Sequence, residues 1–326
     1  MSQPNVLPVK FEEMFDILKG DIDAFNSLYQ LKTNNEEGLN SIYKVLKTIL
    51  LESKMCLPQF ILERISIIAK YNNLYMKSYL FLAKQIYDYY HPERIRNITP
   101  IFDYLFYKEY GIVLDEREKE RFRYFEQKNY TSNVHEENTI YRAIMEDDKK
   151  SFISFTERKG FDKDEVLYSY FYPNNTYDEY HKNSYTLLEL CCYYGSIDCF
   201  KFLISEYKSI ITLKCLQFSF LSGNPEIMSE CLKYQEPNRN CMEYAIISHN
   251  IDFVTFIMNE YKIEINLELC GNYNNFHAFL VYLDHTQDIN TCIIYSTMFN
   301  NVKLCQYLIS HGANVNAKGN SLCSKI

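Results

Sequence analysis

The sequence predicts an all-α protein: a solenoid of stacked helix-turn-helix units behind a helical N-terminal region. Three observations carry that expectation. Residues 288–318 read as two short antiparallel helices, with Ile293, Ile294, Thr297 and Met298 on one face and Val302, Leu304, Cys305, Leu308 and Ile309 on the next. Equivalent openings recur upstream at Leu187, Cys215, Cys241, Asn266 and Cys292, in steps of 28, 26, 25 and 26 residues. Only nine Gly and eight Pro in 326 residues disfavour an all-β fold built on many tight turns.

Taken in order, residues 10–19 and 21–31 suggest two short helices parted by Gly20, with Asp21 as N-cap of the second. Leu39, Ile42, Val45, Leu46, Ile49 and Leu50 then mark a 3.6-residue period. Pro58 suits the first turn of the next helix, and the run Tyr71-Asn72-Asn73-Leu74 ends it and starts another. Two echoes link this region to the repeats. Y-N-N-L-Y-M at 71–76 parallels Y-N-N-F-H-A at 273–278, and the Glu-Tyr of L-F-Y-K-E-Y-G-I-V-L at 105–114 aligns with those at 206–207 and 260–261. Residues 1–126 are therefore either degenerate repeats or a separate helical cap.

The polar, unpatterned stretch 127–138 is the expected linker, with repeats over 139–326. One interval is long, because residues of about 163–184 are inserted, and its polar run Y-P-N-N-T-Y-D-E-Y-H-K-N-S is expected to be mobile. In the terminal unit Asn300-Asn301 separates the helices, since Asn tolerates a left-handed turn, and Gly312 closes the second helix at no Cβ cost. Beyond residue 318 only G-N-S-L-C-S-K-I remains. The open face of the last unit is thus expected to promote self-association.

The unit T-C-I-I-Y-S-T-M-F-N-N-V-K-L-C-Q-Y-L-I-S-H-G-A-N-V-N-A-K at 291–318 resembles an ankyrin repeat. Thr291, Leu308, Gly312, Ala313, Val315, Asn316 and Ala317 match its motif, while Cys292 and Ile294 replace the motif's Pro and His. Thr186, Leu188, Gly195 and Leu203 match in an earlier unit. The phrases S-Y-T-L-L-E-L-C-C-Y-Y-G, C-L-Q-F-S-F-L-S-G-N-P-E-I-M-S-E-C-L-K-Y-Q and C-M-E-Y-A-I-I-S-H-N-I-D-F-V are similar to the large ankyrin family of trichomonad protists, which carries an ankyrin-like domain of unknown function. The resemblance implies protein binding through the concave first helices and the hairpin tips.

Composition and motifs bound the chemistry. A net charge of −8 argues against non-specific nucleic-acid binding, which needs clustered Lys and Arg. No apolar run approaches membrane-spanning length. The eleven Cys include no C-x-x-C pair, and Cys199, Cys215, Cys231 and Cys305 sit on apolar helical faces, as small hydrophobes in a reducing cytosol or nucleus would. Cys191-Cys192 with His249, and Asp284-His285-x-x-Asp288, are the nearest catalytic and metal candidates. Both fit structural positions better, so no catalytic residue, cofactor or metal is expected. No phosphate-binding glycine loop occurs.

The expected function is a non-enzymatic scaffold for a protein partner. The alternatives are an enzyme with its site in the N-terminal region and a purely structural spacer. Partner contacts are expected at Tyr193, Tyr194, Tyr273 and Phe299, just before the closing turns of first helices, and at Tyr244 and Tyr295 one turn earlier. Tyr suits such places because it offers wide contact area, few rotors and a polar tip.

Overall fold

A computed structural model describes residues 10–173 and 184–317. The mobile run expected within the insertion lies largely outside them, as do residues 318–326. The chain is mostly helical, and its described residues divide into two units. One contains residues 10–30, 44–56 and 245–317; the other contains 31–43 and 57–244.

In the first unit, α1 (Phe11–Tyr29) is one continuous helix, where two were expected. Gly20 sits inside it, and an added Cβ there would meet only Ile49 side-chain atoms at an ordinary 3.8 Å. Asp21 therefore caps nothing. Its buried carboxylate accepts instead from Asn301 Nδ2 at 2.8 Å. After α2 (Glu36–Val45), whose last residues enter this unit, the turn widens into a π-helix over Leu46–Leu51. The expected helical period is thereby broken, and Leu46, Leu50 and Leu51 are buried together. The repeats of this unit are α13 (Arg239–Ile247), which enters it at Ala245, and α14 (Ile251–Tyr261); α15 (Leu267–Asn272) and α16 (Phe276–Thr286); α17 (Ile289–Ser296) and α18 (Val302–Ser310). Helix α1 packs on α16 and α18, burying Met14, Leu18, Phe25 and Leu28.

The second unit contains α3 (Pro58–Ile68), α4 (Met76–Tyr90), α5 (Pro100–Tyr110) and α6 (Phe122–Gln127). Its repeats are α7 (Ile140–Met145) with α8 (Lys149–Thr156), α9 (Leu187–Tyr194) with α10 (Ile197–Tyr207), and α11 (Leu213–Ser222) with α12 (Pro225–Cys231). First helices pack on first helices (α7 on α9, α9 on α11), and second on second (α8 on α10, α10 on α12). The insertion supplies β1 (Val166–Tyr168) and β2 (Ser184–Thr186), antiparallel with Leu167 opposite Tyr185.

The stretch 127–138 is not a free linker. Ser132 and His135 are buried, and Ser132 Oγ donates to Glu109 Oε1 at 2.7 Å.

A single device makes the turn between the helices of each repeat. Asp147, Gly195, Gly223, His249, Asn274 and Asn300 all have φ between 50° and 77°, the left-handed region that Gly enters freely and Asn or Asp tolerates. The next residue is Asp148, Ser196, Asn224, Asn250, Asn275 or Asn301, the N-cap of the second helix. Two of these Asn residues also reach back to the preceding repeat. Asn224 Nδ2 donates to Gly195 O at 3.1 Å, and Asn275 Nδ2 donates to Ile246 O at 2.8 Å. Ser196 Oγ likewise donates to Ile144 O. Asn224 and Asn275 thus each start their own helix and tie it to its neighbour, whereas the Ser196 side chain makes only the tie.

No turn within residues 10–126 combines a left-handed residue with such a cap. Asn72 has φ −142°, whereas the matching Asn274 has φ 53°, so the Y-N-N echo is not a structural repeat. The Glu-Tyr echo is one: α5, α10 and α14 each end at that Tyr and pass into left-handed Gly111, Lys208 or Lys262.

Candidate protein-interaction site

The six expected partner-facing residues occupy the ends of first helices, but the chain's own groups cover most of them. Tyr193 is 4 % exposed: its hydroxyl donates to Lys70 O at 2.9 Å and accepts from the Asn73 amide at 3.0 Å. Tyr244 is buried against Tyr71 and Phe218, at 6.2 and 5.7 Å between ring centroids. Phe299 is fully buried against Phe276 and Phe279, at 4.5 and 5.1 Å. Tyr194, Tyr273 and Tyr295 are half-buried. The hydroxyl of Tyr194 and the carbonyl of Tyr273 are taken up by hydrogen bonds within the chain. Tyr193, Tyr244 and Phe299 are therefore corrected from partner-facing to internal. The break between α3 and α4 leaves backbone groups outside the helices, and the Tyr193 phenol bonds two of them, Lys70 O and the Asn73 amide.

A directed hydrogen-bond chain runs from this place. Asn73 Nδ2 donates to Phe171 O at 3.0 Å, which leaves its Oδ1 as acceptor for the Tyr194 hydroxyl at 2.8 Å. Tyr194, having given its proton, accepts from Tyr172 at 2.8 Å. Tyr172 in turn can only accept from His135 Nε2, 2.5 Å away, so the neutral ring carries its proton on Nε2. Burial, then the nearby Arg142, pushes the His135 pKa down to about 4. This chain anchors the insertion and residues near 135 to the start of α4.

His249 plays a comparable part in the first unit. It stacks on Tyr29 at 4.1 Å, its Nε2 donates to Tyr273 O at 2.9 Å, and its Nδ1 lies 2.8 Å from the Asn26 carboxamide. Gln30 Nε2 donates to its carbonyl at 2.8 Å. Burial pushes its pKa down to about 3. No base poised near neutrality results.

The thiols point the same way. Ten cysteines of the described residues are free, and all but Cys305 are buried. Burial pushes Cys191, Cys192, Cys199 and Cys270 well above the usual thiol range, and Cys241 up to about 12. A nucleophilic cysteine needs the reverse. In the other candidate, Asp284 and His285 are exposed on α16, while Asp288 accepts from the Thr291 amide as the cap of α17. No cluster of His, Cys, Asp or Glu suited to a metal occurs among the described residues, and none of their helices is long and apolar enough to cross a membrane.

Apolar exposure concentrates elsewhere. Among the residues of α9 and α11 none is exposed, yet the loops that enter α11 and α13 carry Ile210 at 78 % and Tyr234 at 62 %, and β1 carries Tyr168 at 67 %. Nothing in the residue types singled these positions out. The signal at Ile210 and Tyr234 is only that an apolar residue sits within a polar loop.

Residues 288–320 match the ankyrin repeat model, and residues 207–282 match a domain of unknown function, DUF3447. The terminal unit of the chain is thus an ankyrin repeat, and the unassigned domain covers α11 to α15 and most of α16. No curated protein and no solved structure matches the chain.

Proposed function

We propose that the chain is a non-enzymatic protein-binding scaffold whose partner contacts lie on the loops entering the first helices. The ankyrin repeat at 288–320 supports protein binding in general. The observation that carries the finer reading is the contrast between α9 and α11, none of whose residues is exposed, and the exposed loop residues Ile210 and Tyr234. Large apolar side chains held in water at loop tips contribute most when a partner desolvates them. The depressed acidities of the buried thiols and the neutral, buried His135 and His249 support the non-enzymatic part. Free thiols suit a reducing cytosol or nucleus.

The test is site-specific photo-crosslinking in cells, with a crosslinking side chain at 210, at 234, or at control positions 201 and 226 on second helices. The loop positions are expected to yield a discrete protein adduct that Ile210→Asp abolishes. Equal adducts at the control positions would overturn the loop assignment.

A second reading, self-association, rests on α18. Val302 and Ile309 are 67 % and 47 % exposed, whereas their counterparts one repeat earlier, Phe276 and Leu283, are each 1 % exposed. Sedimentation of wild type against a Val302→Lys, Ile309→Lys variant distinguishes it: a monomer in both at high concentration removes this reading.

A further inference from the structure

In the insertion, β1 pairs with β2 on one side and with no strand on the other among the described residues. Val166 and Tyr168 alternate outward at 38 % and 67 % exposed, and Tyr170 continues the period of two at 40 %. The exposed Tyr124 stands edge-on to Tyr170 at 5.6 Å, which extends the apolar strip beyond the strand. An exposed strand edge with alternating apolar side chains is a template for another strand. β1 is short, but Val166, Leu167 and Tyr168 include neither charge nor proline.

The segment just before β1 is acidic. Asp162, Asp164 and Glu165 precede β1, and the only cation among them, Lys163, is already paired with Asp164 at 2.9 Å. In antiparallel pairing the added segment runs opposite to β1, so its C-terminal end lies beside these carboxylates.

We propose that the free edge of β1 binds an extended peptide segment of a partner by strand addition, antiparallel, with apolar side chains at alternate positions and a cationic C-terminal end. Main-chain hydrogen bonds to the free edge supply affinity, while Tyr168, Tyr170 and Tyr124 select the alternating apolar side chains. This rests on the protein-binding reading but uses a surface separate from Ile210 and Tyr234.

The probe is a synthetic peptide of alternating valine and threonine ending in two lysines, titrated against the full chain by fluorescence anisotropy and by amide hydrogen exchange. Saturable binding is expected, with slowed exchange over residues 166–168. At least tenfold weakening is expected when the peptide's alternate backbone nitrogens that face the protein are methylated, when the lysines are moved to its N-terminus, or when the protein carries Tyr168→Lys. A circular-dichroism melt of the Tyr168→Lys chain checks that it folds. Equal binding by the methylated peptide, or no binding at all, overturns strand addition. If the edge fails while crosslinks persist at 210 and 234, scaffold binding stands without it. If peptide binding holds while those crosslinks are absent, the loop assignment fails alone.

Discussion

The hydroxyl of Tyr194 donates to the side-chain oxygen of Asn73 at 2.8 Å, joining residues 121 positions apart in sequence. It sets the direction of every proton in the chain that ends at His135. Tyr194→Phe leaves Asn73 without its donor and Tyr172 without its acceptor. We expect a cost of about 1–3 kcal/mol, read as a lower denaturant midpoint at unchanged slope. Tyr172 would then be free to donate to His135 and shift the ring's proton to Nδ1, which nitrogen-15 shifts of the ring would report.

The turn asparagines separate two contributions that are usually confounded. Asn224→Asp keeps an acceptor for the Glu226 and Ile227 amides but replaces the donor to Gly195 O with a carboxylate. If the tie between repeats matters, Asn224→Asp should destabilise by roughly 1–3 kcal/mol although an aspartate caps helices as well as an asparagine. Thermal melts in which Asn224→Asp equals wild type would show that the cap alone matters.

Acid should loosen the first unit through His249. Its folded pKa, about 3, lies below the ordinary value of 6.5. The unfolded chain therefore takes up a proton that the folded chain refuses, and stability falls as pH drops below about 6.5, levelling off near the folded value. The loss is on the order of a few kcal/mol at most. Asp21, raised by burial, opposes it at the acid end, because its protonation favours the folded state. His249→Asn, which keeps a residue suited to the left-handed turn, should be less stable at neutral pH but flatter with pH. A wild-type His249 ring that titrates near 6.5 in proton spectra would refute the assignment.

Leu203 and Leu308 are both fully buried on second helices, one in each unit. Either change to Ala should cost about 2–5 kcal/mol, with faster amide exchange confined at first to repeats packed on the altered one. Exchange rising evenly along the whole chain would argue against repeat-by-repeat stability.

The repeat spacing was legible because the turn chemistry is local: Gly195, Gly223, Asn274 and Asn300 appear as punctuation wherever the backbone must turn left-handed. His249 and Asp147 fill the same slot without announcing it. Burial of Tyr193, Tyr244 and Phe299 was not legible, since an aromatic ring at a helix end has the same spacing whether it faces water or, as Tyr193 does, a carbonyl 123 residues away. Gly20 misled for a related reason: in a helix stabilised mainly by tertiary burial, one glycine costs only about 1 kcal/mol.

The ribosome makes α1 well before α16 and α18, which pack on it in the finished fold and are encoded more than two hundred residues later. At synthesis rates of roughly 5–20 residues per second, the nascent chain carries α1 with the π-helix at Leu46–Leu51, but without α16 and α18, for on the order of ten to forty seconds. Residues 57–244 can meanwhile condense on their own contacts. Assembly of the first unit therefore waits for α16 and α18 to cover α1, and it is during that wait that a chaperone would engage the helix.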